Sequence, residues 1–198
     1  MIELKSISKK YSIEIFKDFS FKFDKNNIYF LSGKNGSGKS TLLKLIKGIY
    51  ICDEGEIAFN YSLKQNNDIA YIDGNYRTFF HRLTVRQNID YFYSLQNRKN
   101  DRTCIDEFQE FFNISNLQNK KFSSLSQGQM QIISIFRGIA SNPKVILLDE
   151  VFSSLDNNHK NNLFSYLSKF ILKDDTLVIF TSHDKNFQNL VFNELCLN

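Results

Sequence analysis

A chain of 198 residues that is 42% hydrophobic and 23% charged can bury the core of one ordinary domain, which excludes a disordered tail. A net charge of +4, with lysines scattered rather than blocked, argues against a nucleic-acid footprint. No apolar stretch approaches the ~20 residues of a membrane span, and residues 1–5 lack the basic-then-apolar plan of a secretory leader, so a cytoplasmic chain is expected.

Within 13–23, Phe19, Phe21 and Phe23 alternate with polar residues, the period of a half-buried strand. A turn at 25–27 leads into Ile28-Tyr29-Phe30-Leu31, an unbroken apolar run suited to a strand covered on both faces. A glycine-rich segment follows. Leu42, Leu45, Ile46 and Ile49 then share one face, which predicts a helix over 41–49. From about 75 to 142 the pattern becomes amphipathic-helical, for example over 85–95 and 104–112. Val145-Ile146-Leu147-Leu148 reads as a second fully buried strand, with Pro143 placed ahead of it where a missing N–H costs little. A helix over 160–172, a strand over 177–180, a short helix over 185–191 and a strand near 194–197 complete the chain, with no further domain expected beyond. The pattern is an α/β core interrupted by a helical insertion.

Cys52, Cys104 and Cys196 are odd in number and far apart, and form no ligand set with the three histidines. They are read as incidental thiols of a reducing compartment, and no structural metal is expected.

The chemistry concentrates in three places. Gly33-Lys34-Asn35-Gly36-Ser37-Gly38-Lys39-Ser40-Thr41 is a complete phosphate-binding loop between a strand and a helix. Its glycines let backbone N–H groups converge on phosphate oxygens, and side chains at Gly36 and Gly38 would obstruct that approach. The helix start adds its positive dipole end. Lys39 is suited to the outer phosphates, Ser40 to Mg²⁺ and Thr41 to the inner phosphate. Chance alone would produce such a match in about one chain of this size in a hundred. Asp149 and Glu150 end the strand over 145–148. The first is placed to orient Mg²⁺ and the second to act as general base or to orient an attacking water. On its own, an Asp-Glu pair is more often a strand end meeting solvent. In Leu125-Ser126-Gln127-Gly128-Gln129, Ser126 is a good helix cap, and the same geometry makes an anion site that Gly128 lets the backbone approach.

The first and last of these runs together resemble the ATP-binding cassette (ABC) ATPases, whose signature is the last run. The resemblance covers essentially the whole chain. It implies an α/β P-loop NTPase of the ABC type, with a RecA-like core, N-terminal antiparallel strands and an inserted α-helical subdomain. Residues 1–74 and about 140–198 would form the ATP-binding core of a single domain, and 75–139 the insertion. It implies ATP and Mg²⁺ as cofactors, and a signature (Ser126, Gln127, Gly128, Gln129) that closes over ATP held by a second cassette, in a homodimer or heterodimer.

Several shorter matches fall in the family's order. Ser153-Ser154-Leu155-Asp156 resembles the loop by which cassettes communicate, through Asp156. Thr181-Ser182-His183-Asp184 resembles the switch whose histidine contacts the γ-phosphate, and Tyr11 matches the aromatic that stacks on adenine. Leu83-Thr84-Val85-Arg86-Gln87-Asn88-Ile89 resembles the opening of the helical subdomain. Three positions depart from the family: Gln127 and Val151 are mild, but Gly74 stands where a Gln normally touches Mg²⁺ and water.

The resemblance points to the ATPase subunit of a membrane transporter, held at the cytoplasmic face by a permease and not by nucleic acid. Export is the expected direction, and Tyr76, Phe79, Phe80, Tyr91, Phe92 and Tyr93 are a candidate groove for the permease. Rival readings are a soluble, non-transport ABC ATPase and a weakly hydrolysing cassette paired with an active one, the latter supported by Gly74.

Overall fold

The computed structural model describes residues 1–59, 63–76, 78–95, 102–140, 142–183 and 193–197. Two sheets share the work. Strands β1 (Ile2–Lys10), β2 (Glu14–Phe23) and β4 (Glu54–Phe59) form an antiparallel sheet in the order β2-β1-β4. Strands β3 (Asn27–Gly33), β5 (Ile69–Asp73), β6 (Val145–Asp149), β7 (Leu177–Thr181) and β8 (Asn193–Leu197) form a parallel sheet in the order β5-β6-β7-β3-β8.

The central strands β6 and β7 are buried along their whole length, which is why they read as continuous apolar runs. Their side chains alternate between two cores. Val145, Leu147, Leu177 and Ile179 join the antiparallel sheet and helix α1 (Lys39–Lys47) in one cluster. Ile146, Leu148, Val178 and Phe180 join the helical layer in the other. That layer comprises α3 (Val85–Leu95), α4 (Arg102–Phe111), α5 (Gln127–Ile139) and α6 (Asn157–Asp174), while a four-residue helix, α2 (Gln65–Asp68), leads into β5. Buried Phe79, Val85, Ile89 and Phe108 of the helical insertion belong to the same cluster as Ile72 and Leu148, so insertion and sheet share a core.

Most predicted elements stand within a few residues of their expected bounds. Helix α1 starts two residues earlier than predicted and ends at Gly48, which adopts φ +78° as its C-terminal cap. Ile49 therefore lies beyond the helix and is exposed, not part of its buried face. The helix expected over 185–191, together with Asp184, lies outside the described residues. Cys52 and Cys196 are free thiols, and among the described residues no group of three His, Cys, Asp or Glu side chains is placed to hold a metal.

The aromatic run assigned to a permease groove is mostly spent on packing. Phe79 is buried and stacks on Phe122 at 4.2 Å. The Tyr76 hydroxyl donates to Gln131 Oε1 at 2.7 Å and that of Tyr93 to the Ala140 carbonyl at 2.9 Å. Phe80 and Tyr91 remain exposed, with ring centroids 4.9 Å apart.

Candidate nucleotide-binding site

The phosphate loop runs from the C-terminal end of β3 to the first turn of α1, so the helix's free N–H groups face the loop. Gly36 (φ +86°) and Gly38 (φ +94°) both take left-handed backbone. They do so for different reasons than obstruction alone. A Cβ at Gly38 would lie 2.5 Å from Ile15 Cγ2 and 2.8 Å from Phe16 Cζ, whereas one at Gly36 would meet nothing within 4 Å. Glycine is thus required by packing and backbone angle at Gly38, and by the backbone angle at Gly36, apart from any obstruction of a phosphate.

Lys39 is only 7% exposed. Its ammonium donates to the carbonyls of Gly33 (2.8 Å) and Lys34 (3.0 Å), which hold the side chain across its own loop. The Ser40 hydroxyl donates to Asp149 Oδ1 at 2.8 Å, joining the phosphate loop to the end of β6. Asp149 is likewise 7% exposed and accepts two further hydroxyls, from Thr181 to Oδ1 at 3.0 Å and from Tyr71 to Oδ2 at 2.8 Å. Burial first, and then the bond to Asp149, push the Tyr71 phenol well above its usual range, so it stays a donor.

Glu150 follows with φ +56°, a left-handed conformation that costs a non-glycine residue about 1–2 kcal/mol. Its N–H donates to Thr181 Oγ1 at 2.9 Å, which pins the turn to the end of β7. Its Oε1 sits 3.4 Å from His183 Nε2, and its Oε2 is buried without a hydrogen-bond partner.

One groove of about 430 Å³ is lined by Tyr11, Asn35, Gly36, Gly38, Lys39, Ser40, Thr41, Glu150 and His183, with Ile13 and Ile15, while Asp149 lies behind Ser40 without lining it. The volume suits a small-molecule site. Tyr11 is 49% exposed on its wall. Gly33, Lys34 and Ser37 belong to the loop without lining the groove. The donor set fits a hard divalent cation: the Ser40 hydroxyl, the Asp149 carboxylate bonded to it, whose Oδ2 accepts only from Tyr71 among the described residues, and an unsatisfied Glu150 oxygen.

The Ser126 run lies elsewhere. Ser126 Oγ accepts from the Gln129 N–H at 3.3 Å, and Gln129 Oε1 accepts from the Ser126 N–H at 3.1 Å, a reciprocal cap on α5. Ser126 and Gln127 are exposed, Gly128 and Gln129 half-buried, and none of the four lines the groove. Gly128 backs onto the turn after Glu150, where an added Cβ would lie 3.3 Å from the Ser154 carbonyl oxygen. Asp156 caps α6, accepting from the His159 N–H at 2.8 Å, and it too stands apart from the groove.

The sequence profile of the ABC transporter family matches residues 16–153. The chain belongs to the ABC transporter family. Within the family it is 33% identical to the sulfate/thiosulfate import ATP-binding protein CysA of Synechococcus elongatus, over 93% of this chain and 56% of that protein. It is 32% identical to the zinc import ATP-binding protein ZnuC of Rickettsia bellii, over 100% of this chain and 83% of that protein. The ABC chain thus spans little more than half the length of the first of these relatives.

The ABC fold is shared with solved structures. CbiO1 of Clostridium perfringens, part of the ABC transporter complex cbiONQ, superposes with a TM-score of 0.84 at 23% identity, covering 100% of this chain and 84% of that one. A dimeric ATP-binding cassette in a post-hydrolysis state with ADP and Pi bound gives 0.84 at 23% identity, covering 100% and 94%. The parallel sheet, the antiparallel N-terminal strands and the phosphate loop stand as the sequence led one to expect.

Two site residues carried no sequence signal for the contacts they make. Thr181 was noted only as part of the His183 run, yet its hydroxyl bridges Asp149 and the Glu150 N–H. Tyr71 sits in a strand pattern that gives no sign of the hydroxyl's target.

Proposed function

We propose that the chain is the ATP-binding and ATP-hydrolysing subunit of a membrane transporter, acting as one of two facing cassettes. The observation that carries the reading is a division of labour in space. Lys39, Ser40 and Glu150 line one groove, with Asp149 bonded to Ser40 behind it, while the Ser126 tip of α5 lies outside it. A second copy, or a similar subunit, would bring its own Ser126 tip to the open side of the groove, where helix N–H groups and dipole favour an anion.

In that arrangement the loop N–H groups hold the phosphates and Tyr11 stacks on the base. Lys39 exchanges its carbonyl partners for the outer phosphate oxygens, and Thr41 holds the inner phosphate. Ser40 and Asp149 would hold Mg²⁺, which would supply charge neutralisation for the phosphates. The Ser40 hydroxyl can keep donating to Asp149 while an oxygen lone pair faces the cation. Glu150 orients the attacking water and receives its proton, and His183 contacts the γ-phosphate. Asp156 carries the state of one site to the other cassette.

A permease supplies the membrane-spanning part, since no described helix is long and apolar enough to cross a bilayer. The chain then sits on the cytoplasmic face, with no role for nucleic acid. Both named relatives are import subunits, so the expected export direction has no support from them, and uptake is the direction adopted.

Mixing two inactive variants tests the shared site. Lys39→Ala and Ser126→Asp each disable both sites of their own dimer, but a mixed dimer contains one intact loop facing one intact tip. Recovered hydrolysis on mixing supports the reading; no recovery, with mixed dimers shown to form, overturns it.

A further inference from the structure

The hydroxyl of Tyr71 has one described partner, Asp149 Oδ2, at 2.8 Å. The topology makes this contact a matter of register. Tyr71 pairs with Leu147 across parallel β5 and β6, and Asp149 lies two residues further along β6. Side chains of paired residues, and of those two positions on, share a face. Two residues of strand advance about 6.6 Å, close to the reach of a phenol from its own Cα, so the tyrosine ring lies along the strand and ends at the carboxylate.

Three hydroxyls then hold Asp149: Ser40 and Thr181 on Oδ1, Tyr71 on Oδ2. The first two come from the phosphate loop and the end of β7. Without the third, both remaining bonds fall on one oxygen and the carboxylate plane can swing about its Cβ–Cγ bond. With it, both oxygens are tied, the plane is set, and a single lone-pair direction stays open on Oδ2. A phenylalanine would pack equally well against the α1 core that Tyr71 borders, so the bond to Asp149 is what the hydroxyl adds.

We propose that Tyr71 is a positioning residue for the divalent cation, acting through Asp149. The proposal rests on the reading of Ser40 and Asp149 as the cation's ligands.

The test is Tyr71→Phe in the full chain, titrated with Mn²⁺ in the presence of a non-hydrolysable ATP analogue, with free Mn²⁺ read by its electron paramagnetic resonance signal. Binding of a fluorescent ATP analogue in EDTA is measured alongside. Loss of an outer partner of a metal ligand weakens the metal by roughly tenfold or more, so Mn²⁺ affinity falls by about that factor while nucleotide affinity in EDTA is unchanged. Unchanged Mn²⁺ affinity, or an equal loss in EDTA, overturns the proposal. Asp149→Asn separates the two levels. If it weakens Mn²⁺ and Tyr71→Phe does not, only the positioning role fails; if Asp149→Asn leaves Mn²⁺ binding intact, the cation assignment beneath it fails too.

Discussion

Ser40 and Asp149 stand 109 positions apart in sequence and are joined by a 2.8 Å hydrogen bond. The pair joins the glycine-rich loop to the strand end that carries the acids. Asp149→Asn is isosteric and keeps one oxygen acceptor, so the chain should fold and bind nucleotide in EDTA. It loses the negative charge a hard cation requires. Mg²⁺-dependent hydrolysis is expected to fall by roughly a hundredfold or more, as for removal of one group that stabilises transition-state charge. Steady-state turnover beside EDTA binding checks this, and parallel loss of both would move Asp149 to a purely structural role.

Gly36 and Gly38 look equivalent in the motif and are not equivalent in space. Gly38→Ala drives a Cβ to 2.5 Å from Ile15 and 2.8 Å from Phe16, in addition to backbone strain at φ +94°. Gly36→Ala meets only the strain. Overpacking costs about 1–3 kcal/mol, so Gly38→Ala should lower stability and nucleotide affinity by more than Gly36→Ala. Denaturant melts and equilibrium nucleotide binding on both variants decide it; an equal or reversed order contradicts the packing argument.

Ser126 holds two separable roles, a cap on its own helix and a proposed contact with a partner's nucleotide. Aspartate caps helices as well as serine, whereas alanine costs about 1 kcal/mol at such a position. Ser126→Asp should therefore melt close to wild type, and Ser126→Ala lower. In a Glu150→Gln background, where an ATP-held dimer should accumulate, Ser126→Asp places a negative charge against the triphosphate and abolishes the dimer on gel filtration. A dimer that survives the substitution would leave Ser126 with its cap alone.

The loop motif was legible in the sequence because its chemistry is local: glycines, a lysine and a hydroxyl at fixed spacing fold onto one another, whereas the acid pair gained meaning only beside that loop. The fully buried strands were legible for a related reason, since Val145, Ile146, Leu147 and Leu148 fill both faces. Strand β1 was harder to see. Ile2 and Leu4 point inward in alternation, then Ser6 takes φ +47° and Ile7 resumes out of phase, so the period of two breaks. The Tyr71–Asp149 bond depends on the pairing of β5 with β6, across 78 positions, and a linear pattern holds no trace of it.

Gly74 follows β5 where a glutamine was expected, and the fold leaves room for the first side-chain atom. A Cβ there would meet only Gln131 Oε1, at an ordinary 3.8 Å, and the backbone is not in the left-handed region. Gly74→Gln should change stability by no more than about 0.5 kcal/mol. With Mg²⁺ and ATP it should raise hydrolysis, if the amide there touches Mg²⁺ and water as the family resemblance implies. Thermal melting and turnover measured together check both halves, and a large drop in melting would show that glycine is required by the chain itself.

The two carbonyls that grip the Lys39 ammonium make the cradle a competitor for its own cation. On the proposed reading, an arriving triphosphate would not have to recruit a waving side chain from water and freeze its rotamers; it would draw one already held from two neutral dipoles by its formal negative charge. Selectivity would follow from the exchange, because a weakly charged ligand gains little over the Gly33 and Lys34 carbonyls and leaves the lysine where it is.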